Sequence, residues 1–134
     1  MTVASGRQLA AYRKTAVETA SPLDLILMLY DGALKFLDRG RAAMERRDLS
    51  EQNESLTRAQ AILTELAVCL NMEQGGEVAA NLLGLYSYMS SRLVEANVHD
   101  DPKPIEEVAR LLTELREAWA TLAAQERLKP DEAA

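Results

Sequence analysis

Glu95, His99, Asp100 and Asp101 are the residues of this chain whose types and spacing come nearest to chemistry. Such a cluster could hold a divalent cation, but a metal site needs a complete ligand set at defined spacing. No complete set is present, and the four read as a polar helix end followed by a turn. A di-iron carboxylate centre in a helical bundle takes two Glu-x-x-His pairs and two further Glu. Here there is one histidine, and Glu95 stands four residues before it rather than three. A phosphorelay histidine sits mid-helix with lysine and glycine downstream. His99 instead lies between Asn97 and Pro102, where a helix cannot easily continue. Cys69 has no histidine in its own segment and is expected to pack as a small hydrophobe. Gly75-Gly76 follow no strand and fit no phosphate-loop spacing. The expectation is a protein that is not an enzyme, with no catalytic residue, no cofactor and no metal.

The elements that would position any site are helices. Apolar residues recur three and four apart in four segments: Leu23, Ile26, Tyr30, Ala33, Leu37, Gly40, Met44; Leu56, Ala59, Leu63, Leu66, Leu70; Ala79, Leu82, Tyr86, Met89, Leu93, Ala96; and Ile105, Val108, Leu112, Leu115, Trp119, Leu122. This spacing puts each set on one face of an α-helix packed nearly parallel or antiparallel to its neighbours. Helices are predicted over 21–47, 50–71, 76–97 and 102–128. Ser21-Pro22 and Asp101-Pro102 are cap-then-proline starts, Ser50 can cap the second helix, and Gly75-Gly76 offer the permissive backbone of a reversal. Short connections between long helices make neighbours antiparallel. The fold expected is all-α, an up-down four-helix bundle occupying the whole of 1–134 as one domain. Residues 1–20 stand apart: Leu9, Tyr12, Ala16 and Val17 have helical spacing, but the segment is too short to be stable alone. It is expected to form a short N-terminal capping helix packed on the bundle.

Composition narrows the partners. The chain has 134 residues, 48% of them hydrophobic and only 4% aromatic, which calls for an aliphatic, helix-favouring core. Its net charge of −6 argues against nucleic acid, which selects a basic face. The first 47 residues are mildly basic through Arg39, Arg41, Arg46 and Arg47, and the remainder carries the acidic excess. A single cysteine excludes an internal disulfide. The start of the chain does not read as a secretory signal, and no apolar run reaches the length of a membrane span. A cytoplasmic protein without membrane insertion is expected.

The surplus of apolar residues is the strongest functional signal. Leu25 to Tyr30 is an unbroken apolar and aromatic run, whereas a bundle helix needs only one apolar stripe. Leu25, Met28, Leu29 and Phe36 point away from the first stripe; Ile62 and Cys69 flank the second, Leu83 and Leu85 the third, and Leu111 the fourth. Part of this set widens the core. The rest suggests either a groove for an amphipathic partner helix or a dimer interface. The candidate partner-binding residues are Leu25, Met28, Leu29 and Phe36, with Ile62, Leu83 and Leu111, and Tyr12 is the candidate anchor of the N-terminal cap. Tyr30, Tyr86 and Trp119 are assigned to the core, and Asp31-Gly32 to close helix packing.

Over residues 7–122 the chain resembles the flagellar secretion chaperones. The resemblance is carried by Tyr12 ahead of Ala20-Ser21-Pro22, Leu25-Ile26-x-Met28-Leu29-Tyr30-Asp31-Gly32, Ala59 with Ile62, Glu65 and Leu66, and Gly75-Gly76-Glu77. Leu82, Leu85-Tyr86, Arg92-Leu93, Glu95-Ala96-Asn97 and Glu117-Ala118-Trp119 complete it. It implies four antiparallel helices with a short N-terminal cap, and a client: the disordered C-terminal segment of flagellin, which becomes helical around the chaperone. It also implies that the N-terminal segment covers part of the binding surface when no client is present. The flagellar export gate or a flagellar regulator are further partners to be considered, and so is the alternative of a non-catalytic dimerisation or adaptor bundle in flagellar assembly. A monomer or weak dimer is expected.

Overall fold

Pro22 occupies the first position of the first helix in the computed structural model, which describes residues 22–128. The expected capping segment 1–20, its anchor Tyr12, the cap Ser21 and the tail from Lys129 lie outside the described residues. Among the described residues there are four helices: α1 (Pro22–Arg46), α2 (Leu49–Val68), α3 (Met72–His99) and α4 (Pro102–Leu128).

The stripes meet in one interior. Tyr30, Ala33, Leu37 and Met44 of α1, Leu56, Ala59, Leu63 and Leu66 of α2, Tyr86, Met89, Leu93 and Ala96 of α3, and Ile105, Val108 and Leu112 of α4 form the buried core. In α4 the last buried member is Ala123, and Leu122 is exposed. A straight helix drifts relative to a 3.5-residue repeat, so after Trp119 the inward position falls four residues on rather than three. The helices form a closed ring in which α1 packs on α2 and α4, and α3 completes it by packing on both of these neighbours.

Polar pairs across the seams establish that neighbours run antiparallel. Asp24 at the start of α1 pairs with Arg127 at the end of α4 (3.3 Å), and Asp31 further along pairs with Arg116 earlier in α4. Gln52 in the first turn of α2 donates to Asn97 Oδ1 (3.0 Å) and Asp100 Oδ1 (2.9 Å) at the end of α3, and Gln60 donates to the Ser90 carbonyl (3.2 Å). Arg92 near the end of α3 bonds Glu107 near the start of α4 (2.7 Å).

Two connections differ from expectation. Asp48, not Ser50, caps α2, its carboxylate accepting from Glu51 N (3.2 Å). Arg47 adopts φ 59°, so that its own N–H reaches Met44 O (3.1 Å) and Asp48 N reaches Ala43 O (2.9 Å). This is a Schellman closure, which leaves room for only a two-residue link. The second reversal happens before the glycine pair, at Cys69 to Asn71, where Asn71 Oδ1 accepts from Gln74 N (3.0 Å). Gly75-Gly76 lie one turn later, inside α3. Gly76 has φ 51° and ψ −124°, a conformation open in practice only to glycine, and it kinks the helix there.

Candidate partner-binding surface

The polar cluster considered for chemistry is dispersed. His99 is exposed at the end of α3, Asp100 is the left-handed residue that closes that helix, and Glu95 is engaged by Arg92. Among the described residues no group of three His, Cys, Asp or Glu side chains gathers to hold a metal ion. Cys69 departs from its expected role. It is exposed at the C-terminal cap of α2, where the helix stops. Desolvation, and then the nearby Glu65 carboxylate, push its thiol above the ordinary range and keep it protonated.

Tyr30 and Tyr86 are core, as their stripes require, at 0% and 2% exposure. Their hydroxyls share a 2.7 Å hydrogen bond, and Trp119 Nε1 donates to Tyr30 Oη at 3.1 Å. Burial is the chief cause that raises both phenol pKa values, so both remain neutral. Trp119 is only half-buried; its indole edge faces inward and the rest of the ring lies at the end of the bundle.

The apolar residues singled out on α1 are not engulfed. Leu25, Met28, Leu29 and Phe36 are all half-buried. At helical spacing they follow the flank of α1 that carries Gly32 and Gly40, and those two glycines face α2. A Cβ on Gly32 would lie 3.2 Å from Ile62 Cδ1, and one on Gly40 only 2.8 Å from Leu56 Cδ2. The glycines therefore let the two helices approach closely, and they bring half-buried Ile62 against the same flank. Within this set Leu29, Phe36 and Ile62 pack on the core from outside. The guanidinium groups of Arg39 and Arg58 stand 5.9 and 5.8 Å from the Phe36 ring centroid, each also facing a carboxylate, Glu51 at 4.0 Å and Glu54 at 3.2 Å, so the apolar strip ends in two ion pairs.

Leu83 and Leu111 are elsewhere. Leu83 is exposed at 39% and shares a heptad position with Ser90 and Asn97, on the flank of α3 that faces α2. Leu111 is half-buried one turn after Glu107, on the flank of α4 that faces α3. The candidate residues thus form one patch on α1 and α2 and two separate positions, spread around the bundle rather than gathered in a single groove.

Reasoning from the sequence missed a second apolar feature. At the end where α2 stops and α3 begins, a pocket of about 170 Å³ is lined by all four helices. Ile26, Leu66, Leu70, Val78, Leu82 and Trp119 form most of its wall. These positions read as ordinary stripe members. The start of α3 is kinked at Gly76, one turn behind the Asn71 cap, and no periodicity shows which side of the bundle that kink borders.

The comparisons with known proteins point one way. The family model described as flagellar protein FliS matches residues 5–126. The flagellar secretion chaperone FliS of Salmonella typhimurium is 42% identical over 128 residues, covering 92% of this chain and 93% of that protein. The protein of the same name from Bacillus subtilis is 40% identical over 117 residues (87% and 86%). The flagellar secretion chaperone FliSB of Pseudomonas aeruginosa is 39% identical over 112 residues (81% and 89%). Among the described residues no helix is long and apolar enough to cross a membrane.

Proposed function

The chain belongs to the FliS family of flagellar secretion chaperones, and from that premise we propose that it is a cytoplasmic export chaperone for flagellin. It binds the disordered C-terminal region of flagellin, prevents premature polymerisation and keeps the client competent for flagellar type III secretion. The observation that carries this reading is the half-buried strip Leu25, Met28, Leu29 and Phe36 with Ile62, apolar surface that the four-helix interior leaves outside. Leu83 and Leu111, placed around the bundle, suit a client that wraps rather than inserts.

Energetics agree with a carrier that must let go. Folding a disordered segment on a surface buries on the order of 1,000–3,000 Å² and returns roughly 2–5 kcal/mol in ordering cost. A segment of the chaperone that covers the surface lowers apparent affinity further, by the fraction of time it occupies the site. No bond is made or broken in such a cycle, so the function requires neither a catalytic group nor a cofactor.

A pull-down of full-length flagellin against flagellin lacking its last ~40 residues tests the client, that length following from the same burial scale. The full-length protein should be retained and the truncated one lost; equal retention refutes the C-terminal assignment. Leu25→Asp with Met28→Asp should weaken the full-length complex at least about tenfold while the far-ultraviolet circular dichroism stays helical, since burying a single large aliphatic side chain is worth about that much.

A further inference from the structure

The pocket between the end of α2 and the start of α3 has a lining that admits only one kind of ligand. Its two aromatic members have turned their polar atoms away: Trp119 Nε1 donates to Tyr30, and the Tyr86 hydroxyl bonds the Tyr30 hydroxyl. Its amide, Asn71, is consumed as the cap of α3, with Oδ1 accepting from Gln74 N and Nδ2 donating to Gln74 Oε1 (3.2 Å). Cys69 stays a neutral thiol. What remains is aliphatic and aromatic carbon around about 170 Å³. A cavity of roughly 150 Å³ lined by aliphatic side chains takes a benzene ring, so this one has room for a single large apolar side chain.

Among the described residues the rim carries one sign of charge. Glu65 precedes Leu66 on α2, and Glu73 and Glu77 bracket Gly75 on α3; all three are exposed. No lysine or arginine occurs from residue 59 to residue 91. Among the described residues the cation at this end of α4 is Arg127, which is ion-paired with Asp24. Val68 and Val78 stand exposed beside the mouth at 73% and 68%. An apolar socket inside an acidic collar complements an apolar side chain with basic neighbours.

We propose that this pocket is an anchor site for one leucine, methionine or phenylalanine side chain carried by an amphipathic helix with Lys or Arg at its flanking positions. The proposal deepens the client reading and rests on it for the natural carrier: within the client, the pocket selects the stretch where a large apolar residue is bordered by basic ones. The single turn Met72 to Gly75, set off from the rest of α3 by the kink at Gly76, borders the socket through Gly75.

The chain carries its own reporters, because its only tryptophan and its only cysteine both line the pocket. The probes are amphipathic peptides of about 18 residues with a central Phe flanked by Lys, the same peptide flanked by Glu, and the Lys-flanked peptide with Phe replaced by Ala. Trp119 fluorescence gives affinity, and alkylation of Cys69 by N-ethylmaleimide at mildly alkaline pH gives occupancy. The Lys-flanked peptide should bind at least about tenfold tighter than either control and protect Cys69. Glu65→Gln with Glu73→Gln and Glu77→Gln should remove the preference for Lys, and Cys69→Phe should fill the mouth and cost about tenfold. Equal binding of the three peptides, or alkylation unaffected by saturating peptide, overturns the proposal. If flagellin binds with Cys69 unprotected and unaffected by these variants, the pocket assignment fails and the client reading stands. If flagellin does not bind while the Lys-flanked peptide protects Cys69, the pocket stands and the client reading fails.

Discussion

Replacing glycine by alanine at Gly40, Gly32 and Gly84 should change stability in three different directions, although all three sit inside helices. On propensity alone each substitution favours folding by about 1 kcal/mol. At Gly84, which is exposed and has nothing within 4 Å of the new methyl, that gain should be realised nearly in full. At Gly40 the methyl would lie 2.8 Å from Leu56 Cδ2 and 3.1 Å from Leu56 Cγ, and Leu56 is 0% exposed. That leucine cannot turn away without displacing the core behind it, so the substitution forces α1 and α2 apart. Overpacking costs about 1–3 kcal/mol; with two atoms of a fully buried side chain in the way, about 2–3 kcal/mol applies here, and after the propensity gain a net loss of about 1–2 kcal/mol remains. At Gly32 the only close atom is the terminal methyl of half-buried Ile62, at 3.2 Å, which can yield by a few tenths of an ångström. There the two effects should nearly cancel. Urea unfolding followed at 222 nm would place the midpoints in the order Gly84→Ala, then wild type and Gly32→Ala together, then Gly40→Ala, with unchanged m-values. A Gly40→Ala protein as stable as wild type would refute the close α1–α2 approach on which the Phe36 and Ile62 strip depends.

Tyr86→Phe should cost about 1 kcal/mol, one buried hydrogen bond, because Tyr30 keeps the donation from Trp119. Tyr30→Phe strands both the Tyr86 hydroxyl and Trp119 Nε1 and should cost clearly more in the same denaturation assay. Equal losses would mean that the three groups are not linked through Tyr30. Acid titration should reveal Glu107, whose carboxyl is held below its ordinary range first by the Arg92 hydrogen bond and also by the Tyr88 hydroxyl. A carboxylate lowered on folding stabilises the protein above its unfolded pKa, and the contribution disappears as pH falls through the lowered folded value. Glu107→Gln should therefore flatten the acid limb of the thermal-stability profile, and an unchanged limb would count against the pair.

The helix class, the number of helices among residues 22–128 and most of the core were legible from periodicity. An apolar residue every three or four positions leaves a helix only one way to hide its stripe, so Tyr30, Leu63, Met89 and Val108 needed no coordinates to be placed inside. The run Leu25 to Tyr30 likewise announced apolar surface beyond what one stripe consumes, and the motifs around it announced the family. The caps were less legible, since Asp48 and Ser50 are both good caps and only the left-handed turn at Arg47 selected between them. How the surplus residues are distributed was beyond the sequence. Whether Leu83 adjoins Leu29 or stands a helix away depends on the order of the ring and the rotation of each helix in it. Those are long-range quantities, set jointly by packing at Gly32 and Gly40 and by the cross-seam pairs. The pocket is the clearest case: Ile26, Leu70, Leu82 and Trp119 each belong to a proper stripe. Among the described residues they border a pocket where α2 ends and α3 kinks at Gly76, an arrangement of helix ends that no single stripe encodes.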